Sequence, residues 1–463
     1  MYSAPIDDER LRDRARELAE ELGIPGVAVG VLHGDRERYA FSGVTSVDNP
    51  LPVDENTLFQ FGSTGKTFTS VALLRLVEAG SVDLDARVRT YVPELALRDE
   101  AAAASVTVLQ LLNHTAGWDG DFFENTGDGD DALARYVTRM AGLRQITRPG
   151  SMMSYNNAAV SLAGRIIERV TGTVYEAAMQ ELVLDPIGLR MTFFFPNDVM
   201  TRRFAVGHRR ESDGSVRVLR PWAMGRSGNP MGGMAATAAD QLRWARFHLN
   251  RGRSADGTQV VRSDLIDRMQ QPTVEMPGSD LGDAVGISWL LSELDGAKVV
   301  AHGGSTTGQF AGFAMVPEHR FAVVSLTNVE PNGPLFNRRI REWAFQTYLG
   351  LTKTDPVPEP RAPEALDEYA GRYEDVAIIL TVTVDGGRLC LDGEPKPELI
   401  AQLGEDADYR EEPIPLGMLP GGDRYFVPSG PYQGAKGFFT RDEVGRVSGI
   451  HDHGRYVPRV DAG

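Results

Sequence analysis

The sequence predicts an α+β fold: an antiparallel sheet flanked by helices around a helix-rich middle, followed by a small C-terminal antiparallel β-barrel. Three observations predict it. Short β-rich runs open the first 350 residues and return at their end, with helical periodicity between, so both ends share one sheet. The stretch 352–365 carries four prolines and reads as an extended linker. Beyond it the chain breaks into short β-like pieces separated by Gly and Asp turns, the spacing of a small barrel. The expected domains are 1–351 and 366–463, joined by that linker.

The elements follow in order. Asp7 to Leu22 places Leu11, Ala15, Leu18 and Leu22 on one helical stripe, and Gly23-Ile24-Pro25-Gly26 ends it. Val27–Leu32 and Arg38–Val44, joined at His33-Gly34-Asp35-Arg36, form a hairpin. A helix is expected from about Ser63 to Ala79, stopped by Gly80. Further helices are expected over Ser105–Leu112, Asp131–Leu143, Ala158–Arg169, Thr237–Asn250 and Asn337–Tyr348, with strands at Phe310–Val316 and Phe321–Leu326. Barrel strands are expected at Tyr369–Tyr373, Ile378–Val384, Arg388–Leu391, Tyr425–Val427, Gly437–Thr440, Val447–His451 and Tyr456–Arg459.

Composition narrows the function. A net charge of −16 supplies no basic surface for nucleic acid. The single cysteine, Cys390, excludes an internal disulfide and a cysteine-rich metal site. Met1 to Arg16 has no apolar core of a secretory signal and no run reaches membrane-spanning length, so a cytoplasmic location is the expectation. Asp119 to Asp131, acidic and Gly-rich with Asp128-Gly129-Asp130-Asp131, lacks the ligand spacing of a calcium loop and reads as a solvated loop. His451 and His453 alternate on an expected strand and would face one way, but no third metal ligand is identifiable and solvent-facing side chains are expected.

Chemistry concentrates in Ser63-Thr64-Gly65-Lys66. On a helix, positions i and i+3 meet on one face. A capped helix with a surface lysine satisfies the pattern, and so does a nucleophile beside its base. The lysine is the informative half. Of 48 Lys+Arg only five are Lys, so the ordinary surface cation here is Arg. Lysine differs in losing its proton when desolvated. A phosphate-binding loop is the competitor, since Gly65-Lys66-Thr67 opens a helix; the motif needs glycine at 60, and the residue is Gln60. Two further patches bear on the choice: Ser154-Tyr155-Asn156-Asn157 before an apolar helix, and Ala301-His302-Gly303-Gly304-Ser305 before a strand. Each alone reads equally as a turn or a strand entry.

Together, in this order, they resemble the penicillin-recognising serine hydrolases: class C β-lactamases, D-alanyl-D-alanine carboxypeptidases, D-aminopeptidases and related esterases. The residues that carry the resemblance are Ser63/Lys66, Tyr155/Asn157 and His302-Gly303-Gly304, with Leu111–Gly117, Arg165–Gly172, Pro186–Leu189 and Gly232–Thr237 as secondary marks. It covers about residues 10–350; Leu366, Tyr369, Gly371 and Tyr373 resemble the start of the lipocalin-like barrel often appended to such enzymes. The resemblance implies a β-lactamase/transpeptidase-like fold with an all-helical subdomain and acyl transfer through Ser63, with no cofactor and no metal. Lys66 and Tyr155 would handle the proton and Asn157 would hold Lys66 and the substrate amide. Ser63 and Ser305 N–H groups would form the oxyanion hole beside Gly303 and Gly304. His302 stands where many β-lactamases carry Lys, which favours esterase or peptidase chemistry on small esters or D-amino-acid-containing peptides. Trp118 and Phe122 are expected to line the cleft or pack in the core. Two alternatives remain: a stand-alone thioesterase that releases and cyclises peptides, taking a carrier-bound or thioester-linked substrate, and a non-catalytic β-lactam or peptide sensor on the same fold.

Overall fold

The β-rich runs at the two ends of the first domain pair directly with each other. The computed structural model describes residues 8–403, 412–430 and 432–460; Asp7, the expected first residue of the opening helix, lies outside them. Strand β1 (Gly26–His33) is flanked on one side by β2 (Arg36–Gly43) and on the other by β8 (Phe321–Thr327), with Val29 opposite Ser325 across a sequence separation of nearly 300 residues. The sheet continues through β7 (Gln309–Val316) and β6 (Ala297–Thr306), then β5 (Leu290–Leu294), β4 (Gly282–Val285) and β3 (Val274–Ser279), all antiparallel. The last three are strands that the sequence does not announce. Pro277 and Gly278 interrupt β3, which is tolerated because it is the sheet's edge.

The period-2 alternation of β1 decides what packs where. Val27, Val29 and Val31 face helix α1 (Glu9–Leu22) and helix α5 (Gly333–Leu349), where Leu11, Leu18, Phe336 and Ile340 complete one core. Ala28 and Leu32 face the opposite layer, which holds helix α2 (Gly65–Glu78), helix α3 (Asn157–Thr171) and helix α4 (Ala238–Leu249). Gly30 sits directly under Leu242 of α4, whose Cγ an added Cβ would approach to 2.9 Å. Helix α1 is capped at both ends: Asp8 Oδ1 accepts from the Leu11 N–H at 3.3 Å, and Gly23 takes the left-handed conformation at φ 63°.

Helix α2 is unlike the surface helices. Eleven of its residues are buried, on every face, so it runs through the middle of the core rather than along it. Around it lie α3 and the shorter helices of the 100–187 region, a helical layer that the resemblance led us to expect.

The C-terminal domain is a closed antiparallel barrel of eight strands among the described residues: β9 (Gly371–Glu374), β10 (Ile378–Asp385), β11 (Arg388–Pro395), β12 (Ile414–Met418), β13 (Arg424–Phe426), β14 (Lys436–Arg441), β15 (Val447–Asp452) and β16 (Arg455–Val460). Seven were expected. The eighth, β12, hides behind Pro415 and Gly417. The linker is not a free spacer: the Glu359 N–H donates to the Met418 carbonyl at 2.8 Å, and Arg361 Nη2 to the Leu419 carbonyl at 3.1 Å. No helix among the described residues is long and apolar enough to cross a membrane.

Candidate active site

Ser63 lies in a short 3-10 turn, Gly62–Thr64, that leads straight into α2. Gly62 makes the turn possible, with φ 51°. One turn on, Lys66 is fully buried. Its Nζ lies 2.9 Å from Ser63 Oγ and donates to the Met231 carbonyl at 2.7 Å. Among the described residues no carboxylate bonds the amine. Burial therefore drives its pKa well below the ordinary lysine value, helped by the positive charge of Arg455 and opposed by Asp121. The amine is thus in direct hydrogen-bond contact with the serine hydroxyl, with its affinity for a proton reduced.

Strand β6 runs beside this turn in close backbone contact. An added Cβ on Gly304 would stand 2.0 Å from the Phe61 carbonyl and 2.8 Å from the Ser63 nitrogen. A Cβ on Gly62 would reach the Ser305 nitrogen at 2.6 Å, and one on Gly232 the Ser63 nitrogen at 3.1 Å. Thr64 Oγ1 ties the turn to the strand through the His302 carbonyl at 3.3 Å. The main chain of Ser63 and Ser305 is thereby brought together, with Gly303 and Ser305 exposed.

Tyr155 hydrogen-bonds Ser63, and Lys66 Nζ sits 5.0 Å from the centre of its ring. Burial raises the phenol pKa, so it holds its proton near neutrality. The ring stacks on His114 at 4.3 Å. His114 Nδ1 accepts from the Asn156 N–H at 3.1 Å, which puts the imidazole proton on Nε2. His302 has the opposite tautomer: its Nδ1 donates to the Gly303 carbonyl at 2.5 Å, leaving Nε2 as a buried acceptor with no partner. Burial pushes the His302 pKa down to about 3, so the ring is neutral. Neither imidazole offers a positive charge to a substrate carboxylate.

Asn157 departs from expectation. Its Nδ2 donates not to Lys66 or toward an open cleft but to Asp121 Oδ1, at 2.6 Å. The reason is a second domain. Asp121 also pairs with Arg455 on the barrel, whose Nη2 donates to Oδ1 at 3.1 Å. The guanidinium lies 5.0 Å from the centre of the Tyr155 ring, the same separation as Lys66.

Arg455 stands at the tip of the β15–β16 hairpin. His453 and Gly454, at φ 45° and 75°, form its two-residue turn, and the Asp452–Arg455 pair closes it. This corrects the reading of His451 and His453 as alternating, solvent-facing strand residues. His453 is in the turn and pairs with Asp452 at 2.7 Å. His451 is buried, stacked on Phe438, and donates from Nε2 to the Met153 carbonyl at 3.0 Å. Among the described residues no group of three His, Cys, Asp or Glu could hold a metal ion. The hairpin is stitched to the stretch before α3: the Tyr155 N–H donates to the Gly454 carbonyl at 2.8 Å, and the Tyr456 N–H to Ser154 Oγ at 3.1 Å.

Trp118 and Phe122 belong to the large core. Trp118 is fully buried and its carbonyl accepts from Asn156 Nδ2 at 2.8 Å; Phe122 packs on Tyr136 with ring centres 5.1 Å apart. A cavity of about 590 Å³ opens at the seam between domains, lined by Met153, Met276, Phe438 and His451 rather than by Ser63. Sequence reasoning missed Asp121, His114, Met231 and Arg455. His114 lies in the Leu111–Gly117 mark, and Asp121 in the 119–131 stretch read as a solvated loop, which the structure corrects at its start: Asp119 is buried and Asp121 bonds partners 36 to 334 residues away in the chain.

A family model described as Beta-lactamase matches residues 11–347. The chain belongs to the beta-lactamase family. Penicillin-binding protein 4 of Amycolatopsis lactamdurans is 32% identical over 376 residues, covering 80% of this chain and 98% of its own. Among solved structures, SurE superposes with a TM-score of 0.74 at 24% identity, over 98% of this chain and 99% of its own, so the likeness extends through the barrel; it has also been crystallised with D-Leu. A class C beta-lactamase matches with a TM-score of 0.62 at 21% identity, over 75% of this chain and 99% of its own. The chain is therefore a member of a serine hydrolase superfamily carrying an additional C-terminal barrel.

Proposed function

We propose that this protein transfers acyl groups through an ester on Ser63, cleaving small esters or D-amino-acid-containing peptides. The observation that carries the reading is the fully buried Lys66 amine 2.9 Å from Ser63 Oγ, its proton affinity held well below the ordinary lysine value by burial. Lys66 takes the hydroxyl proton as Ser63 Oγ bonds to the carbonyl carbon. The oxyanion that forms is met by the Ser63 and Ser305 N–H groups, a contribution of about 3–4 kcal/mol per donor in other hydrolases. Tyr155, protonated in the resting site, gives its proton to the leaving group and is reprotonated from Lys66. Deacylation runs the same steps with water or an amine as acceptor. The neutral His302 argues against binding built around a β-lactam carboxylate.

A second reading, a thioesterase that releases and cyclises peptides from a carrier, shares the acyl-Ser63 step; the D-Leu crystallised with SurE supports a D-amino-acid-containing acyl group in either reading. One experiment tests both readings. Wild-type protein and Ser63→Ala are offered p-nitrophenyl esters, D-peptides and peptidyl thioesters, and the acyl adduct is located by mass spectrometry. We expect an adduct on Ser63 with turnover of at least one class, and cyclic product from thioesters if an amine is the acceptor. Turnover that survives in Ser63→Ala overturns the acyl-serine reading; a lasting adduct without turnover identifies a sensor.

A further inference from the structure

One carboxylate at the candidate site, that of Asp121, is bonded from both domains. Asp121 Oδ1 accepts from Asn157 Nδ2 at 2.6 Å and from Arg455 Nη2 at 3.1 Å, and Arg455 Nε donates to Oδ2. The pair is largely withdrawn from water, with side-chain exposures of 12% for Asp121 and 29% for Arg455. The Asp121 loop is itself fixed: the Gly120 carbonyl accepts the N–H groups of Asn157 and Ala158, at 3.1 and 3.0 Å. A Cβ on Gly120 would come within 2.4 Å of the Tyr155 carbonyl, so only glycine allows this approach. Arg455 Nη1 donates to the His453 carbonyl at 3.0 Å, which locks the guanidinium to its own turn.

We propose that Asp121 is a positioning residue that clamps Arg455 and Asn157 on one carboxylate, so that the barrel's hairpin completes the acyl-transfer site. Asp121 touches neither Ser63 nor Lys66; it acts through the groups it holds. This rests on the acyl-serine reading above. Its physical content is a balance of charge around Lys66. The groups that face the amine are Ser63, Tyr155 and the neutral His114 and His302, with Arg455 lowering its proton affinity and Asp121 raising it. Asp375 on the barrel lies near the same pair. Arg455 and Asp121 act on the proton affinity of Lys66 in opposite directions, so that separating the pair shifts it.

The test is a double-mutant cycle in the full chain: Asp121→Asn, Arg455→Met and both together. Each single variant is expected to lower kcat/KM by about 10²-fold, mainly in kcat, and the double variant to be no worse than the poorer single one. The acid limb of the pH profile moves to lower pH in Asp121→Asn and to higher pH in Arg455→Met, and the double variant lies between them. Asp121→Glu recovers part of the activity. Asp119→Asn serves as the control: Asp119 accepts from the Val376 N–H and pairs with Arg144, so it ties the same loop to the barrel without touching Arg455. Hydrogen exchange at residues 452–456 gives a readout independent of turnover, and it rises in Asp121→Asn. Multiplicative losses in the double variant, or unchanged exchange at the hairpin, overturn the clamp. A wild-type protein that acylates with no substrate removes the functional reading instead, while the exchange experiment still decides the clamp.

Discussion

At the scale of single residues, the protein relies on burial to set charge. Lys66 is the clearest case, and Lys66→Arg tests it: arginine keeps its proton, so acylation should fall by about 10²–10⁴-fold while the fold persists, read as the rate of Ser63 labelling by a fluorophosphonate. The buried histidines behave alike. His248 lies between Trp244, Phe247 and Trp289 with neither ring nitrogen bonded, and burial pushes its pKa down to about 3; His302 is held at about 3 and His451 at about 4. Each folded pKa lies below the unfolded value near 6.5, so the unfolded state binds more protons. Stability is full above about pH 6.5 and falls as pH drops toward 3–4, by on the order of 2 kcal/mol per histidine at pH 5. His248→Leu removes one proton from this linkage. Thermal melts between pH 4 and 8 should show a shallower acid slope and no loss of stability at pH 7, because a buried unpaired polar group is removed.

At the scale of elements, strand β6 and the β15–β16 hairpin are held by backbone approaches that only glycine permits. Gly304→Ala places a methyl group against the Phe61 carbonyl, 2.0 Å from its oxygen, and forces β6 away from Ser63. We expect kcat/KM to drop about 10²-fold with a modest fall in Tm, measured by ester turnover and calorimetry. Gly454 is the counterpart in the hairpin. Its φ is 75° and an added Cβ would meet Leu281 Cδ1 at 2.1 Å. Gly454→Val should lift the hairpin off Tyr155, lowering activity while the barrel's own core of Tyr373, Leu380, Phe439 and Ile450 stays intact; hydrogen exchange confined to residues 452–456 checks it. The elements that periodicity foretold, such as α1, β1, α4 and the final helix, are those whose buried face follows a regular period. The strands at 274–285 and 414–418 were illegible because proline and glycine interrupt them, and the one at 290–294 because five residues carry little period. Their pairing comes from neighbours, not from propensity.

At the scale of the whole molecule, the two domains meet at the candidate site. The barrel supplies the partner of the Tyr155 N–H, the Ser154 hydroxyl and the Met153 carbonyl, as well as Arg455. A chain ended after residue 351 keeps both cores of the first domain. Such a truncation should therefore retain its far-UV circular dichroism yet melt earlier and label at Ser63 more slowly than the full protein. The sequence by itself determined the contact between Ser63 and Lys66, because they are three residues apart and one helical turn suffices to join them. It determined the α+β class, the helical middle and the barrel, because those follow from local period and from the linker's composition. Tertiary structure alone decided that Asn157 bonds Asp121 and that His451 is buried. It also decided that the arginine above Tyr155 comes from the chain's far end. The spacing of Asp121 and Arg455, 334 residues, leaves no local signal. Only the docking of one domain on the other brings their charges within reach.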